Sequence, residues 1–172
     1  MRLPLLPLAA MAGLVALSNV LVQYPLGDWL TWGAFTYPVC FLVTDLTNRM
    51  HGAATARRVV YVGFAAAVVL SIVLATPRIA VASGLAFLVA QLLDVSIFDR
   101  MRRRIWWQAP LVSSMLGSAV DTALFFSIAF YGTGFPWVTL GIGDFLWKAA
   151  FALAMLIPFR LFMPMTAGRL AQ

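Results

Sequence analysis

Apolar stretches of bilayer-crossing length follow one another along almost the entire chain, and that repetition leaves few folds open. A helix of roughly 20 apolar residues spans the hydrocarbon core, and only helices or closed barrels satisfy their backbone there. Six segments are predicted as helices: about Pro4 to Val22, about Trp32 to Asn48, Val59 to Ala75, Ile79 to Phe98, Pro110 to Tyr131, and Pro136 to about Phe162. The second is short, opens on the Tyr37-Pro38 step and carries Asp45, so it reads as a full span or a broken one. Pro158 is expected to kink the end of the sixth, since proline removes a helical hydrogen bond. Composition agrees. The chain is 63% hydrophobic and 10% charged, whereas soluble domains run roughly 45–50% apolar and about a quarter charged. The expectation is an all-α integral membrane protein of six transmembrane helices, with residues 1–172 as a single transmembrane domain.

The start imitates a secretory signal, with Arg2 before an apolar run and Ala10-Met11-Ala12 placed like a cleavage site. Cleavage there would leave a very short apolar region, so the segment is read as an uncleaved helix. The net charge is +6, from 12 Lys+Arg against 6 Asp+Glu. The arginines sit in short connections between apolar runs, which speaks for membrane topology and against a nucleic-acid surface, which needs a solvated basic face. With the N-terminus in the cytoplasm, Arg2, Arg49, Arg57, Arg58, Arg100, Arg102, Arg103, Arg104, Arg160 and Arg169 fall on the inner side and Arg78 alone on the outer side. This asymmetry requires an even number of crossings, so both termini are expected in the cytoplasm. One cysteine, Cys40, and one histidine, His51, give no basis for a disulfide or a metal centre. No metal or cofactor is expected.

The informative residues are the ionisable ones inside the spans. A charge at the bilayer centre costs at least ~2.5–3.5 kcal/mol, so it should face the bundle interior with a partner or a substrate. Asp121 and Lys148 fall near the middle of segments five and six, and Asp94 and Asp45 in the inner halves of four and two. Asp144 and Lys148, four apart, share a helix face. So do Gln91 with Asp94, and Asp45 with Asn48, three apart. Asp94, Asp121 and Lys148 are expected to line one shared polar cavity near the midplane, where transporters commonly bind substrate. Plainer readings stand beside this one. Asp144 with Lys148 is also readable as a structural ion pair, and Asp45 as a brace for the Arg49 to Arg58 loop. Asp99, beside Arg100 to Arg104, reads as a solvated loop charge, and Asp28 also as loop. A weak internal similarity relates Ala90-x-x-x-Asp94-x-x-x-Phe98 to Gly117-x-x-x-Asp121-x-x-x-Phe125, each a helical stripe of a small residue, an Asp and a Phe.

Two stretches are distinctive: Phe41-Leu-Val-Thr-Asp-Leu-Thr-Asn48-Arg-Met-His-Gly52 followed by Ala56-Arg-Arg58, and Ser113-Ser-Met-Leu-Gly-Ser-Ala-Val-Asp121-Thr-Ala-Leu-Phe125-Phe-Ser-Ile-Ala-Phe130. With Gln91-x-x-Asp94-Val-x-x-Phe98 and a late Lys148 followed by Pro158, they resemble the queuosine precursor transporter family over about residues 35 to 165. The resemblance implies import of 7-cyano- or 7-aminomethyl-7-deazaguanine across a bacterial inner membrane. It also implies a substrate site among Asp45, Asn48, Gln91, Asp94, Asp121, Asp144 and Lys148. Such a base offers N1–H and a 2-amino group to a carboxylate and O6 to an amide. Its flat ring suits stacking on Phe41 or Phe98, and an aminomethyl group would be a cation for a second Asp. The implied partners are the small base and the lipid bilayer, with no nucleic acid; a homodimer is left open.

Two other classes compete. A substrate-binding subunit of an ATP-driven vitamin importer would have a similar size; the chain has no Gly-x-x-x-x-Gly-Lys-Ser/Thr phosphate loop of its own. An intramembrane aspartyl protease is suggested by Gly141-Ile142-Gly143-Asp144 with Asp121 as second carboxylate. That chemistry needs two carboxylates sharing a proton, which Lys148 one turn from Asp144 opposes.

Overall fold

Proline and glycine set most of the helix boundaries. The computed structural model describes residues 5–21, 24–26, 30–74, 76–134 and 136–162. Arg2, Asp28 and Arg169 lie outside these residues. Six α-helices are found among those described: α1 Leu5–Leu21, α2 Tyr37–His51, α3 Ala53–Leu74, α4 Pro77–Met101, α5 Gln108–Phe130 and α6 Trp137–Phe162. A two-residue antiparallel ladder pairs Pro25–Leu26 with Leu30–Thr31, and one 3-10 turn, Trp32–Phe35, leads into α2. The second predicted segment is therefore a tight turn followed by a continuous helix. Pro38 sits in the first turn of α2, where its missing N–H costs nothing. α4 starts in the same way, with Pro77 in its first turn and the Thr76 hydroxyl accepting from the Ile79 N–H.

The connection between α2 and α3 differs from expectation. Residues 49–58 do not form a loop: one residue, Gly52 at φ 82°, separates the helices, and its N–H bonds the Asn48 carbonyl at 2.9 Å. Glycine reaches this left-handed φ without a Cβ penalty. Arg57 and Arg58 thus ride on the first turns of α3, exposed. The polar residues there hid the helix start from an apolar-run reading.

Among the described residues, four helices have the length and apolarity to cross a membrane: α4, α5, α6 and the Ala53–Leu70 part of α3. The 17 residues of α1 and the 15 of α2 are shorter. α2 is also the most polar, yet it packs against each of the other five helices. A central helix meets protein on all sides, so Thr44, Asp45, Thr47 and Asn48 are buried in the bundle. α6 is the reverse. Val138, Ile142, Leu146, Leu153, Ile157 and Leu161 stand exposed on successive turns, the apolar face a lipid-contacting helix presents. One apolar cluster joins α1 to α4 through Met11, Val15, Cys40, Val59, Val60 and Phe87. Gly63 makes this contact possible, because a Cβ there would come 2.6 Å from Met11 Cγ.

Hydrogen bonds fix the relative direction of the helices. Thr44 Oγ1 donates to Gln91 Oε1 at 2.6 Å, and Asn48 Nδ2 donates to the Val95 carbonyl at 3.0 Å. Both pairs are 47 residues apart, so α2 and α4 run the same way, with α3 returning between them. At their C-terminal ends Arg49 donates to the Arg102 carbonyl and Arg102 to that of Asn48, each at 2.7 Å. Arg160 lies over the Trp106 ring. At the other end, Arg78 at the start of α4 donates to the carbonyls of Ile128 and Tyr131 at the end of α5, at 2.8 and 2.5 Å. Arg49, Arg102 and Arg160 thus gather at one end of the bundle and Arg78 at the opposite end.

Candidate functional site

The buried Asp and Lys side chains among the described residues fall into two adjoining groups around α2. The first joins α5 and α6. Lys148 Nζ lies 2.8 Å from Asp121 Oδ2 and 2.5 Å from Asp144 Oδ2. Thr122 Oγ1 donates to Asp144 at 2.7 Å and accepts from Lys148 at 3.3 Å. Tyr37 closes this group from α2, with its ring 5.0 Å from the ammonium and Asp121 beside it. Lysine has three N–H donors, and here they meet two carboxylates and a hydroxyl. The predicted Asp144–Lys148 pair is present, and Asp121 joins it from the neighbouring helix. An ammonium bonded to both Asp121 and Asp144 is opposed to proton sharing between those two carboxylates.

The second group joins α2, α4 and α5. Asp45 accepts from Ser113 at 3.2 Å and from Ser114 at 3.3 Å, one hydroxyl to each oxygen. It does not brace the arginines that follow it. Asp94 is fully buried and lies against Asp45 and Ser113. Ser113 directs its hydroxyl at Asp45 and the Pro110 carbonyl, so both oxygens of Asp94 are left without a hydrogen-bond donor. Gln91 Nε2, Asn48 Oδ1 and Asp121 Oδ1 are likewise buried and unpartnered. Buried polar groups are nearly always satisfied, and exceptions call for an explanation. Four of the residues proposed from sequence, Asn48, Gln91, Asp94 and Asp121, hold five of the six such atoms among the described residues; the sixth is the indole N–H of Trp147.

A crevice runs between the groups. Phe41, Asp45, Ser114, Ser118, Lys148 and Phe159 line it, with room for about one water. Asp94 and Asp121 stand one contact back, against Asp45 and Lys148. Of the three residues expected to line one cavity, Lys148 lines this crevice and Asp94 and Asp121 do not, although all three are buried. Phe98 is not at the crevice; it packs edge-on to Phe159 in an apolar cluster with Ala109. Asp99 is not in a loop: it lies in the last turn of α4 and pairs with Arg102 at 3.3 Å, both part-exposed. The internal similarity has a structural counterpart: a Cβ on Gly117 would come 3.3 Å from the Ala90 carbonyl, so the two small residues meet where α4 crosses α5.

Sequence reasoning missed Tyr37, Ser113, Ser114, Thr122 and Phe159. A signal for Tyr37 existed: Tyr37, Phe41, Thr44 and Asn48 fall at helical spacing, one stripe along the buried face of α2. The serines lay within a distinctive stretch, but nothing marked them as ligands of Asp45.

A family model described as "Putative vitamin uptake transporter" matches residues 31–76 and 71–163. A "Probable queuosine precursor transporter" of Haemophilus influenzae is 36% identical, covering 84% of this chain and 79% of that protein. The "Queuosine precursor transporter" of Escherichia coli is 35% identical, covering 82% and 77%. A Bacillus subtilis relative, "Probable queuosine precursor transporter", is 29% identical over 73% and 68%. No solved structure matches. Apolar helices closed around buried carboxylates and a lysine, together with these matches, define a multi-pass membrane transporter. The chain belongs to the queuosine precursor transporter family.

Proposed function

We propose that this chain imports queuosine precursors, 7-cyano-7-deazaguanine and 7-aminomethyl-7-deazaguanine, across the bacterial inner membrane. It does so as a single six-span domain with both termini cytoplasmic. The names of the relatives supply the substrate class. The observation that carries the reading at the site is the set of unpartnered buried atoms on α2 and α4. Asp94 offers two acceptor oxygens for N1–H and the 2-amino group. Gln91 Nε2 offers a donor for O6. Phe41 and Phe159 offer aromatic faces at the crevice. Asp121, with one free oxygen beside Lys148 and Asp144, is the carboxylate for an aminomethyl cation. The crevice is far smaller than the several hundred Å³ of a small-molecule pocket, so α2, α5 and α6 separate to admit the base. The gathering of Arg49, Arg102 and Arg160 opposite Arg78, and the common direction of α2 and α4, support the topology. The test is uptake of the two labelled bases by cells that cannot make them, with and without this chain. Accumulation that depends on the chain and is competed by either unlabelled base supports the reading; none in cells that display the protein in the membrane refutes it.

A further inference from the structure

Charge is unevenly compensated in the bundle. Asp121 and Asp144 share the Lys148 ammonium. Among the described residues, Asp45 and Asp94 make no ion pair with a cation. From α2 the groups around them are Thr44 and Asn48, and from α4 Gln91; each makes a neutral hydrogen bond. From α5 they are Ser113 and Ser114, both neutral. From α6, Lys148 reaches the same crevice but is bonded to Asp121 and Asp144. The arginines nearest in sequence to Asp45 and Asp94 are engaged at the bundle end or exposed. Two carboxylates in contact, at 2% and 0% exposure, would place two like charges in an apolar interior. Such a pair relieves its repulsion by holding a cation. Among the described residues no third carboxylate, His or Cys joins them in a metal-binding set, and direct contact leaves a place for a hydrogen between the two groups.

We propose that Asp45 and Asp94 share one proton and that this proton is the coupling ion of transport. With the base donating to Asp94, the proton resides on Asp45, whose hydroxyl then also donates to Asp94; the Ser113 and Ser114 hydroxyls remain on Asp45. This gives Asp94 the donor it lacks and leaves its other lone pairs for the base. Base and proton then support each other's binding, since Asp94 reads N1–H only as a carboxylate, and an ionised Asp94 is tolerable only beside a neutral Asp45. A base entering from outside crosses with one proton, and both are released when the bundle opens inward. The coupling rests on the reading of Asp94 as a base reader; the shared proton does not.

Infrared spectroscopy of the purified, folded protein at neutral pH tests the proton without any substrate. A carboxylic-acid C=O band that shifts in D₂O is expected, and it should vanish in the Asp45→Asn/Asp94→Asn double variant and persist in Asp121→Asn. Absence of such a band in the unmodified protein overturns the proposal whether or not the variants fold; so does a band unchanged in a folded double variant. Proteoliposomes with a trapped pH dye then test coupling. External 7-cyano-7-deazaguanine should acidify the lumen by about one proton per base, equally in sodium and in choline buffer. Base entry without acidification, or only with sodium, overturns the coupling. Failure of the base to enter, with the infrared band present, strikes the substrate reading and with it the coupling, and leaves the shared proton standing.

Discussion

Lys148 on α6 donates to Asp121 on α5 at 2.8 Å, while Asp144, one turn back on its own helix, takes a second hydrogen at 2.5 Å. This contact ties two long helices together at a buried point. Removing one partner of a buried pair leaves an uncompensated charge and costs about 3–5 kcal/mol. Lys148→Met is therefore expected to lower the thermal unfolding midpoint of the detergent-purified protein clearly. Asp121→Asn added to Lys148→Met should recover part of the loss, since Asp144 is then the one carboxylate of the three groups left without its cation. A Lys148→Met midpoint equal to that of the parent would show that the pair stabilises nothing.

The carboxylates should separate by position. Asp94→Asn keeps size but presents a donor where the base presents one, and an unpaired buried polar group costs about 1–3 kcal/mol. Uptake of 7-cyano-7-deazaguanine by cells is expected to fall by about 10- to 100-fold, with the variant still present in the membrane. Asp99→Asn, at a part-exposed ion pair worth about 0–1 kcal/mol, should leave uptake unchanged. Equal uptake by both variants would remove Asp94 from the site.

Gly117 sets how closely α5 approaches α2 and α4. A Cβ there would lie 2.7 Å from Phe41 Cε1 and 3.3 Å from the Ala90 carbonyl. Gly117→Ala must displace Phe41, which lines the crevice, at an overpacking cost of about 1–3 kcal/mol. Lower stability together with slower uptake is expected. A variant with full uptake and unchanged melting would show that α5 shifts freely at this crossing.

Topology has a direct check. Reporter fusions after Arg104 and at the C-terminus should report the cytoplasm, and one after Gly132 the outside. A C-terminal fusion reporting the outside would overturn the six-span arrangement.

The helices were legible because lipid demands apolar runs, and runs show in one sequence. α4, α5 and α6 begin and end within three residues of the segments read from composition. The start of α3 was not legible, because Thr55, Arg57 and Arg58 look like loop while only Gly52 interrupts the helical path. Within the site, the cost of burying charge pointed to Asp45, Asp94, Asp121 and Lys148, and i,i+4 spacing gave the Asp144 contact. Spacing along one helix says nothing of which helices meet. That Asp121 pairs with Lys148 across 27 residues, or that Ser113 and Ser114 serve Asp45 across 68 and 69, is a property of packing. Phe98 shows the converse: it shares a stripe with Asp94, but the helix ends in an apolar cluster, and Phe159 takes the place at the crevice.

In the proposed function, Asp94 and its neighbours read the polar edge of a deazaguanine. Titration of the purified parent protein and of Asp94→Asn with 7-cyano-7-deazaguanine, using adenine as the comparison base, tests it most directly. Saturable binding by the parent is expected, with binding at least about tenfold weaker by Asp94→Asn, and none of adenine, whose edge presents a different donor and acceptor pattern. Equal affinity of the parent and a folded Asp94→Asn for the deazaguanine, or equal binding of adenine, would contradict it.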